Sequence, residues 1–92
     1  MTKLEEKLSF PWKTLRSMLA YMRRNKIMGS IQASLSCPLA RALSRKLGRK
    51  ISVPGFQWRV YGQMRFQRMP LWARNFVTAV DRGTGYQEFV RK

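Results

Sequence analysis

Cys37 carries the only thiol of the chain and stands directly before Pro38. Proline suits the first position of a helix, so Cys37 falls at or beside a helix cap. The helix N-terminus and nearby arginines would lower the pKa of its thiol there. A nucleophilic thiol also needs a base or an orienting group, and no histidine or acid is adjacent. The sequence therefore favours a small buried or capping cysteine, with a functional thiol as the alternative.

The carboxylates are too few and too scattered to form a catalytic or metal site. The chain has no histidine, and its four acids lie toward the two ends, as Glu5, Glu6, Asp81 and Glu88. Metal centres need several ligands at characteristic spacings, and acid–base catalysis needs a titratable group with a positioned partner. We expect the first two acids to be solvated and the last two to neutralise nearby arginines. The sequence predicts no enzyme activity, no metal and no cofactor.

The positive charge is the strongest functional signal in the sequence. The 92 residues include 19 Lys and Arg against four acids, which gives a net charge of +15. Repulsion among so many like charges opposes folding. A charge of this size indicates a polyanionic partner, of which nucleic acid is the commonest and an acidic protein the next. Arginine outnumbers lysine twelve to seven, and its planar fork suits bidentate contacts to phosphate.

Three runs of polar and basic residues form the candidate anion-binding site. They comprise Arg41, Arg45, Lys46, Arg49 and Lys50 in the first run, Arg59, Tyr61 and Arg65 in the second, and Arg23, Arg24 and Lys26 in the third. Arginine interleaved with glutamine and tyrosine on a sheet face suits backbone contacts and base stacking. A solvated surface is the alternative for these runs. No signature of a sequence-specific nucleic-acid reader is present.

The stretch "SFPWKTLRSMLAYMRRNKIMG" predicts a first helix, with Pro11 in its first turn and Gly29 after its end. One side of this helix is apolar, and the cations lie mostly elsewhere. The apolar stripe comprises Trp12, Leu15, Met18, Leu19 and Met22. We predict that the stripe packs on the domain or pairs with a second copy of the chain as a homodimer. A membrane surface or another protein's groove is the alternative.

Proline and glycine also bracket two later helices. The second begins at Pro38 and stops at Gly48, and the third begins at Pro70 and stops at Gly83. Their apolar residues recur at helical spacing, which predicts the faces that point to the core. These are Leu39, Ala40, Leu43 and Leu47 in the second helix and Trp72, Ala73, Phe76, Val77 and Val80 in the third.

Between these helices the hydrophobic period changes to two, which predicts an antiparallel hairpin over about residues 56–68. A three-residue loop from Tyr61 to Gln63 would keep the apolar side chains on one face. That register sets Trp58 opposite Phe66 and Arg59 opposite Arg65. Short edge strands are predicted in "ISV" before the hairpin and in "YQEFVRK" after the third helix. The predicted fold is α+β, a small single domain with helices on one face of a short antiparallel sheet.

The sequence divides into a basic amphipathic helix with a linker, residues 1–35, and a compact α+β domain, residues 36–92. No apolar run approaches the length of a membrane-spanning helix, and the N-terminal stretch lacks the apolar region of a signal peptide. A single cysteine fits a reducing compartment. We therefore expect the protein in the cytoplasm.

Several structural motifs follow one another in a recognisable order after residue 35. They are carried by Cys37–Pro38, Arg41 to Leu43, Ile51 to Val53, Gly62, Pro70, Ala73, Arg74, Phe76, Asp81, Gly83 and Phe89. This order resembles a family of small hypothetical proteins of bacteriophages and prophages, over residues 36–90. The resemblance implies a phage-type accessory protein that acts in a bacterial host cell and binds host machinery or nucleic acid. The chain departs from that pattern in its basic N-terminal helix, its high charge and the residue before Gly62, which is not asparagine.

Two hypotheses from different classes follow. The first is a non-enzymatic basic accessory protein that binds DNA or RNA through phosphate contacts. The alternative is an inhibitor or adaptor that binds a host protein or nucleoprotein complex at an acidic groove that normally holds nucleic acid, as an anti-defence or host-takeover protein would. Attachment to a membrane surface through the first helix is a weaker third hypothesis.

Overall fold

A computed structural model describes residues 8–31 and 33–91, so Glu5 and Glu6 lie outside the described residues. The described chain contains α1 (Leu15–Arg24), α2 (Pro38–Leu47), β1 (Ile51–Ser52), β2 (Gln57–Val60), β3 (Gln67–Arg68), α3 (Leu71–Arg82) and a 3-10 turn (Gln87–Phe89). The three strands form one antiparallel sheet in the order β1-β2-β3. The predicted α+β fold is confirmed.

Helices α2 and α3 begin and end where the sequence predicts. Cys37 is the N-cap of α2, and its Sγ accepts a hydrogen bond from the Ala40 N–H at 3.3 Å. Gly48 and Gly83 close the two helices in the left-handed region, with φ of 66° and 73°. Glycine adopts this conformation without the steric penalty that a Cβ would bring, which explains both stops.

Helix α1 is shorter than the sequence predicts at both ends. Its start is set by Thr14 and not by Pro11, because the Thr14 Oγ1 accepts a hydrogen bond from the Ser17 N–H at 3.1 Å. The Ser17 Oγ in turn accepts from the Thr14 N–H at 3.4 Å, which completes a capping box. At the other end Lys26 takes a left-handed φ of 53°, so the helix stops before Gly29.

The predicted hairpin register is wrong by one residue. Trp58 pairs with Gln67 and not with Phe66, and Gln57 pairs with Arg68. The chain turns tightly after Val60, whose carbonyl accepts a hydrogen bond from the Gln63 N–H at 3.0 Å. Residues 61–66 then form a long connection, so the expected pairing of a three-residue loop does not form.

The side chains of this connection are on the surface. Met64 is 80% exposed and Phe66 43% exposed, whereas the predicted register would have buried them beside Trp58. Arg65 lies in the connection and not on a strand, so the expected pairing of Arg59 with Arg65 is also wrong. Continuing the observed register by one step places Phe66 across from Arg59.

The predicted last strand is instead the 3-10 turn, which follows Tyr86 in a left-handed conformation with φ of 57°. Beyond the turn, Val90 forms a single parallel bridge with Gly29. The Gly29 N–H donates to the Phe89 carbonyl at 2.9 Å, and the Arg91 N–H donates to the Gly29 carbonyl at 2.7 Å. Gly29, in the segment between α1 and α2, is thus joined to residues after α3.

One hydrophobic core takes side chains from both parts of the sequence. Met18 and Met22 of α1 are 0% exposed and pack with Leu43 of α2, Trp58 of β2 and Phe76 of α3. Of the other residues in the apolar stripe, Trp12 is buried, and Leu15 and Leu19 are half-buried against the core. Leu47 of α2 and Trp72 of α3 are also half-buried against this core. The stripe of α1 therefore packs on the rest of the domain, as one of the two predicted arrangements requires.

Candidate functional site

The outer side of α2 presents cations because its apolar residues are drawn into the core. Leu39, Ala40, Ala42 and Leu43 are buried, while Arg41, Arg45 and Lys46 are exposed. Arg49 and Lys50 are exposed just after the helix ends at Gly48. The guanidinium of Arg41 makes no hydrogen bond or ion pair with the described residues. A guanidinium without an internal partner leaves its charge available to an external anion.

The end of α1 lies beside this basic side of α2. The Arg45 Nε donates to the Asn25 Oδ1 at 3.0 Å, and the Lys46 Nζ lies 5.2 Å from the centroid of the Tyr21 ring. Arg24 and Lys26 are exposed nearby in sequence. Side-chain contacts therefore join the first predicted run to the end of α1, where the third run lies.

A groove follows the junction of α1 and α2. It is lined by Ile27, Leu35, Arg41, Ser44 and Arg45, which we call the helix groove. Ile27 and Leu35 are its apolar lining residues, and Arg41 and Arg45 bring two guanidinium groups to it. Met28, Ile31 and Leu35 are 40%, 44% and 37% exposed along the same segment.

Arg23 differs from the other cations of its run because a carboxylate neutralises it. Its Nη2 donates to the Glu88 Oε1 at 2.8 Å, and its Cζ lies 5.8 Å from the centroid of the Phe89 ring. The hydrogen bond from Arg23 lowers the pKa of the Glu88 carboxyl, and that bond also raises the pKa of Arg23. This exposed pair contributes little to stability. It does reduce the charge that Arg23 could offer to a ligand.

The sheet presents a second basic surface, on the face opposite Trp58 and Val60. Trp58 and Val60 are buried, so the alternation of a strand turns Gln57, Arg59 and Tyr61 to the opposite face. The register pairs Gln57 with Arg68 and Arg59 with Ser52, which is buried, and one further step places Lys50 across from Tyr61 and Phe66 across from Arg59. We call the set Lys50, Gln57, Arg59, Tyr61, Phe66 and Arg68 the outer sheet face.

Cations and aromatic rings are paired on the outer sheet face. The Lys50 Nζ lies 4.6 Å from the centroid of the Tyr61 ring, and the Arg59 Cζ lies 4.8 Å from that of Phe66. The Tyr61 N–H also donates to the Lys50 carbonyl at 2.7 Å. Lys50 thus links the basic run after α2 to the hairpin, and the first and second predicted runs meet there.

Arg59 has an unsatisfied donor. Its Nη1 donates to the Gln63 carbonyl at 3.2 Å, but its Nε is buried and has no hydrogen-bond partner among the described residues. A buried donor without a partner is unfavourable by about 1–3 kcal/mol, more when it is charged.

The sequence analysis did not identify three residues that lie on this face or beside it. Phe56, Arg68 and Arg74 line one open cleft of about 470 Å³ together with Gln57 and Met69. Neither Arg68 nor Arg74 makes a side-chain hydrogen bond or ion pair with the described residues. Only the correct register would have identified Arg68 as a site residue, because the predicted register assigns position 68 to the apolar face.

The thiol of Cys37 is buried, which supports the capping role over the functional one. Burial raises the pKa of the Cys37 thiol above its ordinary value, and the hydrogen bond from Ala40 only partly opposes this shift. The expected lowering of this pKa by the helix terminus and arginines is therefore wrong. A cavity of about 170 Å³ beside the thiol is also lined by Asp81, Val53 and Val77.

We expect Cys37 to react with a disulfide reagent at pH 8 at least about tenfold more slowly in the native protein than in denaturant. Because the thiol pKa is higher when folded, the unfolded state loses its proton first as pH rises. Stability should therefore fall above the ordinary cysteine pKa and be unaffected by this group below it. Equal labelling rates in the folded and denatured protein would contradict this assignment.

Neither a metal cluster nor a membrane-spanning helix occurs in the described part of the chain. It contains no group of three or more His, Cys, Asp or Glu side chains placed to hold a metal ion. None of the helices in residues 8–31 and 33–91 is long and apolar enough to cross a membrane.

Comparisons with known proteins identified no relative of this chain. A scan against family models, a search of curated proteins and a search of solved structures each found no match. The resemblance to bacteriophage and prophage proteins therefore stays a prediction from the sequence.

Proposed function

We propose that this chain is a non-enzymatic basic protein that binds nucleic acid through contacts to phosphates. Its origin as a phage-type accessory protein of the bacterial cytoplasm is part of the same proposal. The supporting observation is the outer sheet face, where Lys50 and Arg68 are exposed and Arg59 is half-buried. The carboxylates of the described residues lie elsewhere, with Asp81 in α3 and Glu88 in the 3-10 turn.

Charge density explains why this surface suits phosphate. A row of cations without carboxylates repels itself in the free protein, and a polyanion relieves that repulsion while releasing its own counterions. The exposed side of α2 continues the row, because Lys50 directly follows Arg49 and contacts Tyr61. A phosphate backbone could therefore follow both surfaces.

A salt titration tests this proposal. Replacing Arg41, Arg45 and Arg49 together by glutamine should weaken binding to a mixed-sequence duplex. The slope of log affinity against log salt should become shallower by about one for each phosphate that the variant no longer binds. The fold should survive because these side chains are exposed.

The matched control removes the same charge elsewhere, by replacing Lys13, Arg16 and Arg82 with glutamine. An equal loss in both variants would show that net charge alone drives binding and would remove α2 from the interface. Absence of any complex with duplex or single-stranded nucleic acid at about 50 mM salt would overturn the proposed function.

A second candidate function rests on the helix groove. Arginines beside the apolar side chains of Ile27 and Leu35 suit an acidic, partly apolar protein surface, which a phosphate backbone alone does not provide. The chain would then be an inhibitor or adaptor of a host protein or nucleoprotein complex. A pull-down from nuclease-treated bacterial lysate, compared with a Leu35→Asp variant of the groove lining, tests this candidate. Loss of all partners after nuclease treatment would exclude it.

A further inference from the structure

The rings on the outer sheet face indicate which form of nucleic acid fits. Tyr61 is 53% exposed and Phe66 is 43% exposed, although both carry large apolar surfaces. A cation also lies over one face of each ring, Lys50 over Tyr61 and Arg59 over Phe66. A nucleotide offers the matching pair of groups, because its base can stack on a ring while its phosphate takes the charge.

The cleft at the edge of the face repeats this combination. Phe56 is 53% exposed, and it lines the cleft with Arg68 and Arg74, whose guanidinium groups have no partners among the described residues. Gln57 lines the same cleft and carries an amide that can hydrogen-bond the edge of a base. Three exposed rings therefore lie beside cations in one region of the molecule.

Duplex nucleic acid would use only part of this surface. Its bases are stacked on one another inside the helix, so it presents phosphates to the cations but no free base face to the rings. Single strands expose both groups, and stacking on aromatic side chains is tolerant of sequence because every base has a π-face. Exposed rings that a duplex cannot cover thus favour the single strand.

We propose that the outer sheet face, together with the Phe56 cleft, binds single-stranded nucleic acid. Unpaired bases stack on Tyr61, Phe66 and Phe56, and the cations of the face hold the phosphates. This inference rests on the proposed function and narrows its ligand to one class.

The test compares an oligothymidylate of about 20 nucleotides with a duplex of equal length at the same salt. The single strand should bind at least about tenfold more tightly. Replacing Tyr61 and Phe66 by leucine should weaken single-strand binding by about fivefold or more for each base released, and should leave duplex binding nearly unchanged. An Ile31→Ala variant, which removes an exposed apolar side chain outside this face, should change neither affinity.

A second measurement reads stacking directly. A Phe66→Trp variant should keep the affinity for the oligothymidylate, and its new indole should lose fluorescence on binding. Of the three native tryptophans, Trp12 and Trp58 are buried and Trp72 is half-buried, so the same titration of the parent protein gives the background signal.

The outcomes separate the two proposals. Equal affinity for both ligands, with no effect of the leucine variants, would overturn the single-strand inference and leave phosphate binding intact. A leucine variant that loses duplex and single-strand binding equally would also overturn it. Failure to bind either ligand at about 50 mM salt would overturn the proposed function and the inference together.

Discussion

Replacing Trp58 with alanine should lower the free energy of unfolding by about 3–5 kcal/mol, a large share of the stability expected for a chain of this length. Trp58 is 0% exposed, and its ring packs edge-on to Phe10 with centroids 6.2 Å apart. Its Nε1–H donates to the Arg68 carbonyl at 3.2 Å, which ties β2 to β3. The variant therefore loses apolar burial and a hydrogen bond within the sheet. Urea denaturation followed by far-ultraviolet circular dichroism measures the change.

A Trp58→Phe variant separates the two contributions. It keeps most of the buried ring but cannot donate to Arg68, so we expect a loss of about 1–2 kcal/mol. A Trp58→Ala variant that lies within about 1 kcal/mol of the parent protein would contradict the central position of this ring. It would also contradict the observed register, because the bond to Arg68 depends on that register.

The Gly29→Ala variant should lose about 3 kcal/mol and more than about 10 °C in melting temperature. A Cβ at Gly29 would lie 2.6 Å from the Cys37 carbonyl carbon and 2.6 Å from the Pro38 nitrogen, and it would overlap the Ser36 carbonyl oxygen. All three are backbone atoms at the start of α2, so relief requires movement of the helix itself. Thermal unfolding followed by circular dichroism measures the effect.

Gly85→Ala is the matched control. A Cβ at Gly85 would meet the Ala79 Cβ at 3.5 Å, an ordinary contact, and the backbone there has no left-handed φ. We expect a change within about 1 kcal/mol of the parent protein. Equal losses in both variants would show that the close approach of Gly29 to α2 is not what limits substitution there.

The sequence predicts best those elements whose ends carry an explicit stop. Helices α2 and α3 follow the prediction because Gly48 and Gly83 supply the left-handed residue that ends them. The start of helix α1 differs from the prediction because it depends on the hydroxyl groups of Thr14 and Ser17. Ser17 takes the position that Glu or Gln usually occupies in a capping box. Apolar periodicity alone does not reveal such a boundary.

The hairpin shows why the candidate site was only partly predictable. Period-two alternation identifies two strands but leaves their register open, and a shift of one residue changes every cross-strand neighbour. The prediction therefore placed Arg59 and Tyr61 correctly on the polar face but gave Arg59 the wrong partner. Phe66, assigned to the core, is an exposed ring beside Arg59. The contacts of Arg45 with Asn25 and of Lys50 with Tyr61 depend on tertiary packing that no local pattern encodes.

The backbone bridge at Gly29 has a consequence for how the chain folds during synthesis. Gly29 exchanges hydrogen bonds with Phe89 and Arg91, about sixty positions later in the sequence. Helix α1 can form early, but these partners reach it only after α3 has left the ribosome. Met18 and Met22 can contact Leu43 of α2 earlier, but the backbone bridge that fixes the segment after α1 forms only once Phe89 and Arg91 have been synthesised.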